Sequence, residues 1–317
     1  MKDKHLRLLI LVSSLLIIAL IIASWVLGMG DEKNQVPLAV AYDYHFAINV
    51  GPTDTAFAKD FIAGAYNAAE GERIALEIYD YNSAYTEGGV DFISWAEYCR
   101  ADAVITIPTG ADEYDFVDDN KCDIFCVNVM SDMEWENSIY VGPDNYQEGW
   151  DLAYTVAERE NDEVNVGIIT LPTPADTKRT MLAGFQDAAK SIGDKINIIA
   201  IETVDKSIVL AMSRAEELVR GYDEELDYLV CFTEELTIGT ARGVIDLNKV
   251  NKIGIVGVGA SDEIHTYIRN GVVDAAIDEN AYEMGKTAVK TALGMVTGEP
   301  NKKGRELRLI SHKMVSN

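Results

Sequence analysis

At 317 residues the chain is long enough for two ordinary domains, and 48% hydrophobic with 25% charged residues is a globular composition, which excludes a disordered or fibrous protein. A formal net charge of −25 makes nucleic acid and anionic lipid poor partners, because like charges repel. The plain consequence of such acidity is solubility; attraction for cationic ligands is the sharper one.

The first segment departs from this composition. Leu8–Leu27 is apolar apart from Ser13, Ser14 and Ser24 and holds no charge. At about 1.5 Å per residue it reaches roughly 30 Å, the depth of a bilayer core. Lys2, Lys4 and Arg7 precede it, and Asp31 and Glu32 follow. The positive-inside bias leaves the amino terminus in the cytoplasm and everything after Gly30 outside. With Asp3 counted, residues 1–30 carry a net +2, so −27 falls on the remainder. The length of the run and its Ser24-Trp25-Val26-Leu27 exit favour an uncleaved single-pass anchor over a cleaved signal, for which Gly28-Met29-Gly30 is a weak site. With no cysteine nearby, attachment of a lipid at a lipoprotein-type cysteine is excluded.

After a polar linker, Asp31–Gln35, short apolar runs alternate with helical patterns. The spacing predicts a strand over Val36–Tyr42, a helix over Thr53–Glu70 capped by Thr53 or Asp54, a strand over Ile74–Tyr79 and a helix over Val90–Arg100. Strands follow at Ala103–Ile107, Ile124–Val129 and Ser138–Val141, with a short helix over Glu113–Asn120. Gly142-Pro143-Asp144-Asn145 opens a helix to about Arg159. Val164–Thr170, Ile196–Glu202 and Tyr228–Thr233 read as strands, and Lys178–Ser191, Ile208–Gly221 and Thr237–Leu247 as helices. In Ile253–Gly298 the order is strand, helix, strand, helix, with Gly259-Ala260-Ser261-Asp262 and Asp278-Glu279-Asn280 bunched where the strands stop. Roughly ten strands linked by crossover helices are too many for one small sheet, so two doubly wound parallel sheets are expected. In such sheets ligands sit beyond the carboxyl ends of the strands.

Catalytic and metal motifs are missing. There is no GxSxG, no metal-spaced His pair among His5, His45, His265 and His312, and no CxxC; Gly254–Gly259 does not match GxGxxG. No enzyme, metal or cofactor is implied. Cys122 and Cys126 would lie about 13 Å apart in a strand, too far for a disulfide. Cys126 and Cys231 sit in apolar runs, and the cysteines read as small buried hydrophobes.

Four phrases carry a resemblance: VGPDNYQEGWDLA (Val141–Ala153), MLAGFQDAAK (Met181–Lys190), VCFTEELTIGTARGV (Val230–Val244) and IGIVGVGASDEIHTYIRNGVVDAAIDENAYEMGKTAV (Ile253–Val289). In this order they resemble the type I periplasmic binding proteins, the ribose- and galactose-binding class whose fold also serves lac-repressor-type effector domains. The resemblance spans Val36 to about Leu309. It implies two Rossmann-like lobes, 36–143 plus 280–305 and 144–279 plus 306–317, after the anchor (1–30) and linker (31–35). Three crossings would join them, near Gly142–Asn145, Asp278–Asn280 and Gly304–Arg308, and ligand would hold the lobes closed. No helix-turn-helix precedes Val36, which disfavours the regulator branch.

The resemblance also nominates site residues. Asp43 and His45 would lie in a loop after the first strand, with His45 otherwise a bystander. Phe57 would stack on a sugar ring, unless it packs in the core with Phe61 and Ile62. Asn128 stands near the Asp-Arg pair of the sugar binders, with Ser131-Asp132 as the alternative. Met181 stands where ribose binders have an arginine, which leaves Arg179 or Lys178 to substitute. Thr233 and Glu234 can accept hydrogen bonds, Glu279 falls at a common polar site position, and Gly259 replaces a frequent aspartate. This set holds more acceptors than donors, and losing an Arg and an Asp together argues against ribose itself. The expected function is an extracytoplasmic receptor for a small polar ligand, a carbohydrate first. It would serve an ABC permease or a membrane sensor such as a histidine kinase or chemoreceptor. An amine-bearing ligand, or a ligand-free protein-binding descendant, stands as the alternative.

Overall fold

The computed structural model describes residues 42–79, 92–107, 124–131, 138–159, 162–172, 176–193, 195–222, 224–298 and 307–316, without the side chains of 176–179. The described elements all fall in one compact unit, Asp43–Asn317. The membrane span expected at Leu8–Leu27, the linker, the strand expected at Val36–Tyr42 (but for Tyr42) and the helix at Glu113–Asn120 lie outside these residues. Among the described residues no helix is long and apolar enough to cross a membrane.

The first sheet holds β1 (Tyr44–Asn49), β2 (Ile74–Ile78), β3 (Ala103–Thr106), β4 (Phe125–Val129), β5 (Ser138–Gly142) and β11 (Leu307–Leu309), in the order β11-β5-β4-β3-β1-β2. All of its pairings are parallel. Helix α1 (Ala56–Ala69) follows β1, and α2 (Phe92–Tyr98) follows β2. The second sheet holds β6 (Val164–Thr170), β7 (Ile196–Thr203), β8 (Tyr228–Cys231), β9 (Gly254–Val258), β10 (Ala275–Asp278) and β12 (Lys313–Ser316), in the order β12-β10-β9-β8-β6-β7. Only β12 runs antiparallel to its neighbour. Its helices are α3 (Asn145–Arg159), α4 (Asp176–Ser191), α5 (Ile208–Tyr222), α6 (Glu234–Asp246) and α7 (Asp262–Arg269); α8 (Ala281–Thr297) returns to the first sheet.

Strands buried on both faces need apolar residues at nearly every position, and these runs supply them. In the first sheet, Phe46, Ile48, Ile105 and Val127 meet Phe61 of α1 and Met284 and Ala288 of α8. On the other face Ala47, Val104 and Cys126 meet Phe92 and Ile93 of α2. In the second, Val166, Ile168 and Val256 face Leu152 of α3 and Phe185 of α4, while Ile169, Leu229 and Ile255 face α5, α6 and α7. Each fully buried Phe or Ile contributes roughly 1.5–3 kcal/mol. An aspartate just before a strand repeatedly ties the neighbouring strand's start: Asp102 accepts from His45 N, Asp227 from Asn165 N and Asp274 from Ile255 N, at 2.8–2.9 Å.

Three differences from the sequence expectation matter. The first strand among the described residues is Tyr44–Asn49, where a loop was expected, because this run pairs on both sides, Ile48 with Ile78 of β2 and with Ile105 of β3. Two strands, β11 and β12, were not expected; each is short and gains its pairing from β5 or β10. The third passage between sheets consequently runs through Ile310–His312, past Gly304–Arg308, since Leu307–Leu309 still belongs to the first sheet.

Candidate functional site: the facing strand ends

The connections place the two carboxyl edges together. Strand β5 ends at the carboxyl edge of the first sheet and leads through Pro143-Asp144 into α3, which packs on the second. Helix α3 runs into the start of β6, so it begins at the carboxyl edge of the second sheet. Strand β10 leaves that edge and enters α8, which packs on the first sheet. Parallel β11 ends at the first carboxyl edge, and antiparallel β12 begins at the second. All three passages therefore leave one edge and arrive at the other.

Two of the passages are held by side chains. Tyr140 Oη donates to Pro143 O at 2.9 Å, and Asn145 Nδ2 reaches Tyr140 Oη at 3.3 Å. His312, beyond β11, meets Asp151 of α3 at 2.8 Å. The strand order reverses between β1 and β3 in one sheet and between β6 and β8 in the other. Such reversals open the crevices where ligands bind in this architecture.

At the first reversal β1 ends in Asn49, whose Oδ1 accepts from Gly51 N at 3.1 Å. The turn closes on Thr55, which caps α1 by accepting from Ala58 N at 3.1 Å, one or two residues later than expected. Phe57 lies in the first turn, half-buried, with its ring 6.1 Å from that of Phe61. Strand β3 ends in Thr106. On β4, Asn128 is fully buried and its Oδ1 accepts from Cys126 Sγ at 3.1 Å. Ser131 is half-buried; Asp132 lies outside the described residues.

At the second reversal β6 ends in Thr170. Arg179 is in the first turn of α4, its side chain outside the described residues. Met181, where the resemblance looks for an arginine, is fully buried in the α3–α4 core. Thr233 caps α6 by accepting from Leu236 N at 3.4 Å. Glu234 Oε2 accepts from Ala260 N at 3.0 Å and Ser261 N at 3.2 Å. A side chain at Gly259 would start 2.7 Å from Glu234 Cγ. The space of the missing aspartate is therefore filled by a carboxylate from the neighbouring strand end. At the second passage Asp278 Oδ1 accepts from Asn280 N at 2.8 Å, and half-buried Glu279 lies between them.

Phe57, Asn128, Thr233, Glu234 and Glu279 thus all lie at or near the two facing edges. Asp43 and His45 do not. The shift of the first strand places them at its amino end, where Asp43 pairs with Arg73 at 3.2 Å and His45 with Glu77 at 2.8 Å. Asn49, Thr106 and Thr170 were not anticipated. The available signal was a polar residue closing an apolar run, as in Ala47-Ile48-Asn49, Val104-Ile105-Thr106 and Ile168-Ile169-Thr170.

Cys231, which ends β8, adds no reactive thiol to this edge. Cys231 is fully buried and donates to Thr240 Oγ1 at 3.2 Å; burial pushes its thiol up to about 12. Only a minute thiolate fraction exists at neutral pH, and the thiolate is the reactive form. Iodoacetamide at pH 8 is expected to leave Cys231 unmodified in the native protein and to alkylate it in denaturant, as read by peptide mass spectrometry. Native alkylation would contradict the burial.

Two doubly wound sheets with facing carboxyl edges, joined by three passages, define a two-lobed binding protein. Residues 46–300 match the periplasmic binding protein domain family, and the chain belongs to it. Membership places it among binding proteins rather than enzymes and puts the domain outside the cytoplasm. The D-ribose/D-allose-binding protein of Pseudomonas aeruginosa is 23% identical over 160 residues, 50% of this chain and 49% of that protein. The match thus spans about half the length of the curated relative. Among solved structures, GanP, a glucose-galactose binding protein from Geobacillus stearothermophilus, is 24% identical with a TM-score of 0.76, covering 86% of this chain and 97% of that one. The XylFII–LytSN complex contains a chain 24% identical with a TM-score of 0.73, covering 86% and 97%. At these identities both structures speak for the fold.

Proposed function

We propose that the chain is a membrane-anchored extracytoplasmic solute receptor whose lobes close about the three passages on a small polar ligand, a carbohydrate. The observation that carries this reading is the convergence of both carboxyl edges, each lined with hydrogen-bonding side chains. Phe57 offers an apolar ring at one edge for a pyranose or furanose face, and Asn128 lies on the same sheet. Thr233, Glu234 and Glu279 border the opposite edge, and Arg179 opens the helix that follows Thr170. The names of the relatives from Pseudomonas aeruginosa and Geobacillus stearothermophilus support a sugar.

The apolar, uncharged Leu8–Leu27 supports the anchor. A tethered receptor serves either an ABC permease or a membrane sensor. The XylFII–LytSN relative, named as a complex with a second protein, supports a protein partner for this one.

The test is thermal unfolding of the full chain in detergent against pentoses, hexoses, polyols, amino sugars and simple amines. A ligand at about 100 times its dissociation constant adds about 2.7 kcal/mol, a rise of several degrees. A shift with pentoses or hexoses supports the reading. Silence across the panel would remove it in favour of a ligand-free, protein-binding descendant. A response confined to amines and amino sugars would move it to an amine-bearing ligand.

A further inference from the structure

We infer that Thr106 and Thr170, one from each lobe, are specificity-determining hydroxyls of the cleft, and that they select a neutral, hydroxyl-rich ligand over a cationic one. The inference rests on the proposed reading of the cleft. It starts from a change of chemistry between two adjacent rungs of the first sheet. Ala47, Val104 and Cys126 are in register on β1, β3 and β4 and pack under α2. Two residues further along each strand, on the same face, the rung is Asn49, Thr106 and Asn128. These three are no more than 1% exposed. A sheet covered on both faces has no folding reason to turn polar there.

The flanking residues of that rung spend an oxygen locally, Asn49 on Gly51 N and Asn128 on Cys126 Sγ. The central Thr106 hydroxyl has no hydrogen-bond partner among the described residues. Thr170 repeats the situation in the second lobe: it ends β6, is 4% exposed, and its hydroxyl also lacks a partner among the described residues. Both belong to strands that form the reversals, β3 beside β1 and β6 beside β8. A buried hydroxyl left unpaired costs about 1–3 kcal/mol, and valine fills the same volume at no such cost. Two orphaned hydroxyls, one at the end of a strand beside each reversal and on edges that face each other, mark where a ligand's own hydroxyls complete the bonding.

The charge at these edges narrows the ligand. The buried polar side chains near the carboxyl ends of β1, β3, β4 and β6, namely Asn49, Thr106, Asn128 and Thr170, are amides and hydroxyls, which satisfy neutral groups. The Glu234 carboxylate is engaged by two main-chain N–H groups and that of Asp278 by one. Glu279, and Glu148 fully buried in the first turn of α3, are the carboxylates near this edge that keep a cationic ligand worth including in the test.

The experiment uses the full chain and its Thr106→Val, Thr170→Val and Thr291→Val variants. Thr291, well inside α8, also has a buried hydroxyl without a partner among the described residues but closes no strand, so it serves as the control. Binding of D-ribose, D-allose, D-galactose, D-glucose and D-glucosamine is measured by calorimetry, and melting of each ligand-free protein by circular dichroism. The expected result is affinity for at least one neutral sugar that falls about tenfold in Thr106→Val and in Thr170→Val. Thr291→Val should bind like wild type, no variant should melt lower, and D-glucosamine should bind more weakly than D-glucose. Wild-type affinity in both edge variants would overturn the inference while leaving the proposed function standing. So would a ligand-free melting temperature several degrees lower in either, or a preference for D-glucosamine. A wild-type protein that binds none of the sugars would overturn the proposed function and this inference with it.

Discussion

Gly184→Ala is expected to destabilise the protein by about 3 kcal/mol or more and to lower its melting temperature by roughly 10 °C. Gly184 lies on α4, and a Cβ there would fall on the carbonyl oxygen of Tyr146 in α3. The reciprocal contact is as close: a Cβ at Gly149 of α3 would fall on the carbonyl oxygen of Met181 in α4. The obstacle in both cases is helical backbone, which cannot rotate away as a side chain end does. The helices would have to separate, and with them Phe185 and Leu152, both fully buried in the shared core.

The first lobe repeats this arrangement. A Cβ at Gly64 of α1 would meet the carbonyl of Tyr282 in α8, and one at Gly285 of α8 the carbonyl of Phe61 in α1. Tyr-x-x-Gly on one helix thus crosses Phe/Met-x-x-Gly on the other in both lobes, at Tyr146–Gly149 against Met181–Gly184 and Tyr282–Gly285 against Phe61–Gly64. Gly64→Ala is expected to show the same loss. Gly221→Ala, near the end of α5 with open space around it, should be neutral or raise stability by up to about 1 kcal/mol. Thermal unfolding by circular dichroism reads all three; a Gly184→Ala protein melting within a degree of wild type would refute the close crossing.

Glu234→Ala is expected to cost about 2–3 kcal/mol, while Glu234→Gln should cost well under half of that. The carboxylate holds the N–H groups of Ala260 and Ser261 at once, and hydrogen bonds to a charged group are worth about 1.5–3 kcal/mol. Ser261 in turn caps α7, accepting from Ile264 N, so the loss reaches the start of that helix. Alanine leaves both N–H groups without their acceptor; glutamine keeps a carbonyl oxygen of the same reach. Urea unfolding of the ligand-free protein separates the cases. If Glu234→Ala lowered sugar affinity with no change in stability, Glu234 would be a ligand contact rather than a brace for the β9–α7 turn.

Glu234 also shows where sequence reasoning reached its limit. From the chain alone, Thr-Glu after a strand reads as two acceptors at a cleft, and Gly259 reads as a lost aspartate. In the folded protein the two observations are one: the Glu234 side chain occupies the space beside Gly259. Thr233 is occupied at the same edge as a helix cap. Asp43 and His45 failed for a different reason. Local pattern after Val36–Tyr42 reads Asp43–Phe46 as a loop, and it cannot show that Tyr44–Asn49 finds partners on both sides. Pairing with β2 and β3 makes Tyr44–Asn49 a strand and puts both residues at the far edge of the sheet.

What the sequence by itself determined is the alternation of buried strands and crossover helices, the two-sheet architecture and the points where polar residues gather at strand ends. Those follow from hydrophobic period, caps and glycines, which act over a few residues and are written locally. The tertiary structure decided the register of the first strand, the late third passage through Ile310–His312, and the division of the polar residues into braces and candidate ligand contacts. Each depends on which groups meet across the sheets. A hydroxyl such as that of Thr106 is informative only once the surrounding fold shows that nothing described beside it takes its hydrogen bond.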